Sequence, residues 1–424
     1  MSDARTTRRV DVLVVGAGSA GATAAIAAAR TGASTLLVDR LGFLGGTSTA
    51  VLDTFYAFFT PGREPRKVVA GIPDEVVAGL EAEEACFLRP NTYGAGTGVT
   101  YDPETLKRVW EGLVLDAGVS VLLHAFVHGV RLDGDRIAAV DVWTKGGEWR
   151  IEAGCVVDAS GDADVCHLAG APYEGPDDRT QSLSTVFRMA NVDVARAEAV
   201  PKQELWARMR AARDEGRYAL PRVEGSVHRT PQPGVMMALM TRMRNVDATD
   251  PEQLTRAELE GRRQCREYFR FLRENVPGYE EAVLVSTSPA VGVRESRRIV
   301  GEAVLTAEDV LGARTFADQI ARCGAPIEEH HAGSDTRWVY LEEGATYGIP
   351  YRALLPREVD GLLVAGRCFS ATHDAHASAR SMATCMAMGQ AAGTAAALAG
   401  GDPRRLDPER LRAKLREDGA DVGP

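Results

Sequence analysis

Apolar and polar positions at the start of the chain follow the pattern of buried parallel strands. Residues 10–15 read Val-Asp-Val-Leu-Val-Val, a run that is typical of a strand covered on both faces. The alanine-rich segment 22–30 favours a helix with small side chains, and residues 34–38 form a second apolar run. These three segments predict a β-α-β unit.

Further along the chain, a strand-rich region precedes a helical one. Residues 119–157 contain short apolar runs divided by turns at 133–135 and 145–147, which predicts a meander of strands. Asp102 before Pro103 has the composition of a helix start, with the aspartate as N-cap. Helices are predicted over 102–116, 203–216, 252–274 and 407–417, the last as a solvated tail.

Composition shifts along the chain predict two domains. Residues 1–165 and 345–400, rich in glycine and alanine, form the first domain, with 50–100 partly capping it. The arginine-rich region 166–344 forms the second, and 401–424 is a C-terminal helical tail. We expect the substrate to lie between the two domains.

Charge and cysteine content narrow the classes of function. The chain has 49 Lys and Arg against 59 Asp and Glu, a formal net charge of −10, which argues against a nucleic-acid partner. Its seven cysteines form no Cys-x-x-Cys pair, which favours a reducing, cytoplasmic location over a disulfide framework or a zinc site. No apolar run reaches the ~20 residues of a membrane span. We therefore expect a cytoplasmic monomer or homodimer that binds a small molecule and no metal, membrane or nucleic acid.

The first motif that carries chemistry is Gly16-Ala17-Gly18-Ser19-Ala20-Gly21, a Gly-x-Gly-x-x-Gly between a strand and a helix. The first glycine permits the turn, the second lets a pyrophosphate approach the backbone, and the third lets the helix pack on the strand. Amides at the helix start then bind the diphosphate. Asp39 ends the second strand, 23 residues after Gly16, where a carboxylate accepts hydrogen bonds from a ribose. The constellation predicts dinucleotide binding.

A second glycine-rich loop follows that acidic residue. Gly45-Gly46-Thr47-Ser48 offers backbone amides and two hydroxyls without a bulky side chain, so it can run beneath an extended FAD. A flexible surface loop is the alternative, and Phe43 and Leu44 are unusual for one. The loop therefore favours FAD.

Two later segments repeat the pattern of a strand that ends in small residues. Residues 156–164 read Val-Val-Asp-Ala-Ser-Gly-Asp-Ala-Asp, and residues 361–367 read Gly-Leu-Leu-Val-Ala-Gly-Arg before a small-residue helix at 383–400. In this order, the pieces resemble the FAD-dependent oxidoreductase family related to the glutathione-reductase-type flavoproteins and to the fumarate reductase/succinate dehydrogenase flavoprotein group. The resemblance extends to 291–302, 347–352 and 368–393 and so covers nearly the whole chain. It implies an α/β fold, with a Rossmann-like FAD-binding domain that carries a three-stranded meander and a second, mixed α+β substrate domain.

The resemblance also implies how FAD would lie along the chain. The adenosine half would sit on 16–21 and Asp39, and Asp162 or Asp164 would lie near the ribityl chain or the flavin edge. The last helix would aim its N-terminus at the flavin pyrimidine oxygen, where its dipole stabilises the anionic reduced flavin. The implied cofactor contacts are Gly16, Gly18, Ser19, Ala20, Gly21, Asp39, Arg40, Gly45, Gly46, Thr47, Ser48, Val127, Ala159, Gly161, Asp162, Gly366, Arg367, Met382, Ala383 and Thr384.

Candidate catalytic groups follow Arg367, in the run 372–380. His376 and Arg380 resemble the His-x-x-x-Arg segment with which fumarate-reductase-type flavoproteins hold the substrate near the flavin. A neutral His373 or His376 can take a proton from an alcohol or amine while a hydride leaves to the flavin. Arg380 can hold an anion bidentately. A hydrogen-bonded structural role beside the cofactor is the alternative for either histidine.

Three further groups have two interpretations each. The segment 328–331 reads Glu-Glu-His-His and resembles a family segment that usually reads Asp-x-His, so His330 is a fourth candidate to reach the substrate. The arginine-rich segment 294–298 forms either an anion-binding face or, as we favour, ion pairs on a helix surface. Tyr351 and Arg352 either close the pocket or, for Tyr351, pack in the core.

The predicted function is that of an FAD-dependent oxidoreductase, a dehydrogenase or oxidase. It transfers a hydride from a small polar organic substrate to the flavin, with a histidine as general base. One alternative is an NAD(P)H-dependent flavin monooxygenase, although hydroxylases of that class usually carry an Asp-Gly segment that 158–164 lacks. A flavin reductase of an unsaturated substrate and a non-enzymatic flavin-binding module are the others.

Overall fold

A computed structural model of the chain describes residues 6–92, 94–330 and 336–424. Its strands are β1 Thr6–Val15, β2 Thr35–Val38, β3 Thr54–Phe55, β4 Cys86–Arg89, β5 Gly98–Tyr101, β6 Ser120–Leu122, β7 Phe126–Asp133, β8 Arg136–Thr144, β9 Gly147–Asp158, β10 Tyr173–Glu174, β11 Phe187–Ala190, β12 Ser226–Arg229, β13 Met236–Leu239, β14 Val283–Thr287, β15 Arg298–Ile299, β16 Gln319–Cys323, β17 Ile327–Glu329, β18 Arg337–Val339, β19 Tyr347–Pro350 and β20 Leu362–Val364. Its α-helices are α1 Ser19–Arg30, α2 Thr47–Ala50, α3 Ile72–Ala82, α4 Pro103–Asp116, α5 Asp164–Leu168, α6 Val194–Glu198, α7 Lys202–Asp214, α8 Pro251–Asn275, α9 Ala307–Leu311, α10 His373–Ala379, α11 Met382–Leu398 and α12 Pro408–Glu417. No helix in the described ranges is long and apolar enough to cross a membrane.

The predicted β-α-β unit forms the centre of a seven-stranded sheet. Its order is β6-β2-β1-β9-β8-β7, and β20 also pairs with β9. Strand β1 runs parallel to β2 and to β9, with Val15 opposite both Val38 and Asp158. Because β20 is parallel to β9 as well, the carboxyl ends of all four strands meet at one edge. Ligands of open parallel sheets bind at such an edge.

The meander is built from fewer strands than the sequence pattern predicted. Strands β7, β8 and β9 pair antiparallel, as expected for a three-stranded meander. The runs at 149–153 and 156–158 form the single strand β9, because β9 continues from the meander into the central sheet. The run at 119–124 supplies β6, which pairs in parallel with β2 instead of joining the meander.

Small residues let helices α1 and α11 pack backbone to backbone against each other. A Cβ atom at Gly389 would lie 2.1 Å from the carbonyl oxygen of Ala20, and one at Gly393 would lie 2.0 Å from that of Ala24. Protein interiors are too densely packed to absorb such an overlap without moving a helix. This contact fixes the start of α1, which carries the glycine motif.

A second core surrounds the antiparallel sheet β12-β13-β11-β14. Phe187 of β11 packs there with Met209 of α7 and Phe271 of α8, all fully buried. Side chains of 299–327, which the sequence assigned to the substrate domain, pack into the first core instead. The second core is thus the shorter stretch 187–284.

The C-terminal helix α12 is not the solvated tail that its charges suggested. Leu411 and Leu415 are fully buried, and Arg412 donates a 2.5 Å hydrogen bond from Nη1 to the carbonyl of Gln319. One face of α12 therefore belongs to the first core, and its charged residues cover the other face.

Candidate active site

A cavity of about 790 Å³ opens at the edge where the parallel strands end. Its lining comes from the glycine motif, from the loop 46–54, from the turn 159–162 and from 365–367. Strands β12 and β13 of the second core line it as well. One continuous space therefore joins the predicted dinucleotide cradle to a pocket between the two cores.

The glycine motif has the geometry that a bound diphosphate requires. Gly16 has a φ of +95°, and a Cβ atom there would lie 2.4 Å from the carbonyl oxygen of Ala159. A Cβ atom at Gly21 would lie 1.7 Å from the carbonyl oxygen of Gly16, whereas one at Gly18 would meet no atom within 4 Å. Gly18 lines the cavity and is the N-cap of α1 without a side-chain hydrogen bond. The first-turn amides of α1 are therefore available to an anion, and the cradle fits FAD.

Asp39 lies on the cavity wall at the end of β2, as predicted, and Arg40 lies beside it. Both carboxylate oxygens of Asp39 already accept backbone N–H groups, from Ala17 at 2.5 Å and from Leu41 at 2.6 Å. Burial raises the pKa of Asp39, and these two hydrogen bonds oppose the shift. The carboxylate thus ties the glycine motif to the loop after β2 and keeps further lone pairs for a ribose.

Two residues of the second glycine loop line the cavity, and two others hold the loop in its conformation. Gly46 and Thr47 line the cavity. Gly45 forms a parallel β-bridge with Gly18 of the glycine motif. The Ser48 hydroxyl donates a 2.8 Å hydrogen bond to the carbonyl of Gly45. A Cβ atom at Gly46 would lie 2.8 Å from Cα of Gly18, so the two glycine loops are in direct contact.

The turn after β9 is shaped by a buried acid. The Asp158 carboxylate accepts the Ser160 hydroxyl at 2.6 Å and the backbone N–H of Cys166 at 3.0 Å. Burial raises the pKa of Asp158, and these hydrogen bonds oppose the shift. Ala159 and Gly161 line the cavity next to it, as predicted.

The two acids that follow have different surroundings. Asp162 lines the cavity and accepts a 2.8 Å hydrogen bond from Nη2 of Arg367, which also lines it. Nε of Arg367 donates to the carbonyl of Gly161, also at 2.8 Å. Asp164 pairs with Arg297 at 3.1 Å and lies outside the lining. Burial, with the charges of Asp162 and another acid nearby, raises the pKa of Asp164 to about 6. Asp162 is thus the acid of the pair that can face a ribityl chain.

Gly366 and the start of α11 line the cavity from the side of β20. Gly366 has a φ of +85°, and Ser381 and Met382 lie at the helix start. Ala383 and Thr384 are fully buried and pack inward. Six predicted cofactor contacts therefore do not line the cavity, because they pack the loops, α11 or the meander: Gly21, Gly45, Ser48, Val127, Ala383 and Thr384.

Neither His373 nor His376 lines the cavity, in contrast to the expectation that one of them meets the substrate. His376 is fully buried, and Nε2 lies 2.8 Å from the carbonyl oxygen of Arg367. Burial lowers the pKa of His376 to about 3, so its neutral ring donates this hydrogen bond. His373 lies 3.0 Å from Glu295 and 3.4 Å from Glu329. Although burial opposes it, the hydrogen bond to Glu295 raises the pKa of His373. His376 therefore supports a wall residue from behind, and His373 joins two buried carboxylates outside the lining.

A cluster of Glu329, His373 and Asp374 has the spacing of a metal site, with potential ligand atoms within 4.8 Å of one another. Arg337 pairs with Glu329 at 2.9 Å and lies 3.9 Å from Asp374, and Arg179 lies 3.7 Å from Asp374. These arginines already compensate the carboxylates, and we assign no metal to the cluster.

His330 is the predicted histidine that does line the cavity. Its Nε2 lies 2.9 Å from the Glu328 carboxylate, and its Nδ1 lies 3.1 Å from the Thr336 hydroxyl. Burial and a nearby arginine hold the pKa of His330 well below its usual value. Although burial opposes it, His330 lowers the pKa of Glu328 to about 2. Arg380 lines the same wall and donates to Gln181 at 2.9 Å.

No motif in the sequence pointed to the polar residues that line the rest of the pocket. Asp53 lies 2.9 Å from Nε2 of His228, and this buried contact joins the first core to β12. Although burial opposes it, His228 keeps the pKa of Asp53 below its usual value. Tyr56 accepts a 2.5 Å hydrogen bond from Arg89, and Arg222 lies on the same wall. An acid directly after the apolar residues 50–52 was the available signal for Asp53.

The arginine-rich segment 294–298 lies in a loop that ends at the first residue of β15, and not on the predicted helix surface. Arg298 pairs with Glu295 at 3.1 Å, which is the expected structural role. Arg294 lines the cavity instead and donates a 2.6 Å hydrogen bond to the carbonyl of Ser182. The structural role is thus confirmed for Arg298, whereas anion binding by Arg294 stays a prediction.

Tyr351 and Arg352 lie away from the cavity. The Tyr351 hydroxyl donates to the carbonyl of Pro403 at 2.8 Å, and the ring is buried in the first core. Arg352 is half-exposed and pairs with Asp318 at 3.0 Å. The core interpretation of Tyr351 is thus confirmed.

Comparison with known proteins gives both a family and a shared fold. A sequence model of the FAD dependent oxidoreductase family matches residues 11–415. Digeranylgeranylglycerophospholipid reductase 3 of Methanosphaera stadtmanae is 30% identical over 119 residues, which span 26% of this chain and only 25% of that protein. A geranylgeranyl bacteriochlorophyll reductase-like protein from Thermoplasma acidophilum superposes with a TM-score of 0.51 at 15% identity, covering 97% of this chain and 84% of that one. The flavin-dependent brominase Bmp2 gives a TM-score of 0.51 at 11% identity, covering 97% and 83%.

Proposed function

The chain belongs to the family of FAD dependent oxidoreductases, and from this premise we propose that it transfers a hydride from a small polar organic substrate to the flavin. The observation that carries the proposal is the continuous cavity that leads from the glycine motif to the polar pocket between the cores. The finer kinship with the glutathione-reductase and fumarate-reductase groups stays a prediction.

FAD, when bound, supplies the acceptor for a hydride, which carries two electrons. Gly18, Gly46 and the first turn of α1 would hold its diphosphate, because their amides face the cavity without side chains in the way. Asp162 and Arg367 would hold the ribityl chain of FAD, between its diphosphate and its flavin ring. The remaining wall, around Glu328 and His330, is left for the substrate.

We propose that His330 is the general base that accepts the proton of the substrate alcohol or amine. Its Nε2–H donates to the Glu328 carboxylate, which fixes the tautomer with the lone pair on Nδ1. Thr336 lines the cavity and lies 3.1 Å from Nδ1, so its hydroxyl can pass a substrate proton to the ring. The lowered pKa of His330 keeps its ring neutral before the substrate binds.

A reductase of an unsaturated substrate is the second candidate, and Tyr56 favours it. Burial raises the pKa of Tyr56, so the phenol stays protonated. Its oxygen accepts from Arg89, which leaves the O–H available to donate. A phenol in that state can protonate a substrate that has accepted a hydride at the neighbouring carbon.

Anaerobic spectra of the purified holoenzyme separate the two candidates. We expect the visible flavin bands to persist with NADPH and to bleach with an amine or alcohol substrate. Bleaching by NADPH, together with reoxidation by an unsaturated compound, would refute the proposed direction and support the second candidate.

The role of His330 is tested in the same assay with His330→Gln. We expect the variant to retain FAD and to bleach roughly 100-fold more slowly, the usual contribution of a general base. His128→Gln, on the exposed face of β7, is the matched control and should behave as the wild type. Equal rates in all three proteins would remove His330 from the reaction.

A further inference from the structure

Three arginines lie together on the cavity wall near the second core: Arg222, Arg294 and Arg380. We call them the arginine cluster. Arg222 is only 7% exposed, and the other two are partly buried. A buried guanidinium costs free energy unless a counter-charge or a full set of acceptors compensates it.

The hydrogen bonds of the cluster all go to neutral groups. Arg294 donates to the Ser182 carbonyl at 2.6 Å and to the Ser184 hydroxyl at 2.9 Å. Arg380 donates to the Gln181 side chain and to the backbone carbonyl of Glu328. Nε of Arg380 has no partner within the described ranges.

Arg222 is the least satisfied member of the cluster. Among the residues that the structure describes, its guanidinium has one hydrogen bond, which is long at 3.5 Å and goes to the Leu239 carbonyl, and its Nε has no partner. Of the residues described, no carboxylate forms an ion pair with any of the three guanidiniums. Three positive charges therefore face the cavity without a paired negative one.

The carboxylates that the structure describes near the arginine cluster do not form ion pairs with it. The negative charge of Glu328 favours the protonated form of all three arginines, but its carboxylate accepts a hydrogen bond from His330. The charge of Glu224 acts in the same direction on the pKa of Arg222. Burial, and then the neighbouring Arg380, lowers the pKa of Arg294 well below its usual value, as expected where like charges are crowded.

The cluster is separate from the diphosphate cradle. Its hydrogen-bond partners come from 181–184, 239 and 328, whereas the glycine motif contacts Asp39, the second glycine loop and Ala159. Apolar side chains also line the cavity, namely Met237, Leu239, Trp206 and Trp338. The lining thus combines positive charge with apolar surface.

We propose that the substrate is an organic carboxylate with an apolar body, and that its carboxylate binds to the arginine cluster. A carboxylate matches the planar fork of a guanidinium and supplies acceptors to the unpartnered N–H groups. The proposal rests on the proposed function, for which it names the substrate class.

Binding of benzoate and of its neutral isostere benzamide to the oxidised holoenzyme tests the proposal. The readouts are the perturbation of the flavin spectrum and calorimetric titration. We expect saturable benzoate binding that is about tenfold or more tighter than that of benzamide, the scale of one charge-assisted hydrogen bond. Equal affinities for the acid and the amide in the wild type would overturn the proposal without any variant.

The variants Arg222→Met and Arg294→Met each address one member of the cluster. Each should weaken benzoate binding about tenfold or more and leave benzamide within about twofold. Arg352→Met is the matched control, because Arg352 lies away from the cavity. If Arg222→Met does not retain FAD, the Arg294→Met comparison decides.

Three outcomes would overturn the proposal. Competition by inorganic phosphate as strong as by benzoate would mean a general anion site. Loss of benzoate affinity in the Arg352→Met control would mean a general effect of charge. A shifted flavin potential with unchanged benzoate affinity in the Arg222 and Arg294 variants would assign the cluster to the reduced flavin.

Failure of the proposed function gives a different pattern. Tight benzoate binding with no organic acid able to bleach the flavin would refute hydride transfer and leave the anion site standing. Bleaching by a neutral alcohol or amine, with no preference for acids, would leave hydride transfer standing and refute the substrate class.

Discussion

Replacement of Gly18 by valine should separate FAD binding from folding. Gly18 has a φ of −65° and a ψ of −179°, an extended backbone that any residue adopts. A Cβ atom there meets no protein atom within 4 Å. The valine side chain therefore enters the cavity and disturbs the cofactor but not the fold.

The size of each effect follows from these contacts. Valine is a poorer N-cap than glycine, which costs the folded state about 1 kcal/mol or less. A side chain in the cradle keeps the diphosphate from the amides of α1, and each charge-assisted hydrogen bond lost costs about 1.5–3 kcal/mol. Loss of a single such bond weakens FAD binding about tenfold to a hundredfold, and loss of two removes it at working concentrations.

The assay compares apo-proteins, so that bound FAD does not mask the folding term. The stability of apo Gly18→Val in urea should lie within about 1 kcal/mol of that of the apo wild type, while fluorescence titration shows little FAD binding. Gly21→Val is the matched control, because its Cβ atom would lie 1.7 Å from the Gly16 carbonyl oxygen and must destabilise the apo fold. Stoichiometric FAD in purified Gly18→Val would refute the assignment of the cradle.

Three further predictions concern packing and charge. Gly389→Val forces a side chain toward the Ala20 carbonyl and should lower apo-protein stability by about 3 kcal/mol or more in urea; an unchanged midpoint would contradict the α1–α11 contact. His376, with a folded pKa of about 3, is neutral in the fold and takes up a proton on unfolding below about pH 6.5, so stability falls as pH falls. Between pH 7.5 and 5 this loss in the free energy of unfolding is about 2 kcal/mol, and urea titrations of His376→Gln should lack it. An equal pH dependence of stability in the wild type and the variant would mean that another group takes up the proton on unfolding. Asp53→Ala leaves Nε2 of His228 buried without its acceptor and should cost about 1–3 kcal/mol in urea, whereas no loss would make the contact between the cores energetically neutral.

The first core was predictable because its signals are local. The turn at Gly16 and the contact of Gly21 with it need glycine within a few residues, and the pattern of β1, α1 and β2 surrounds them. The fusion of two predicted strands into β9 was not predictable, because it depends on pairing with β1, more than a hundred residues earlier.

The assignment of His376 shows the limit of spacing alone. Arg380, the C-cap of α10, follows His376 by four residues, so helical spacing predicts that both side chains point to the same place. The long Arg380 side chain reaches the cavity wall, whereas the short imidazole ends at the Arg367 carbonyl behind it. Side-chain length thus decides which of the two meets the cavity.

The two halves of the cavity differ in how well the sequence predicts them. The cofactor half uses backbone amides, so it requires glycine at fixed positions, and those glycines form a motif. The substrate half uses side chains that long-range contacts bring together, such as Asp53 and His228, 175 residues apart. Arginines that face this half have no signature that distinguishes them from surface arginines, because their burial is decided by how the second core packs on the first. The cofactor can therefore be predicted from the sequence of this chain, while the side chains around the rest of the cavity can be identified only in the folded structure.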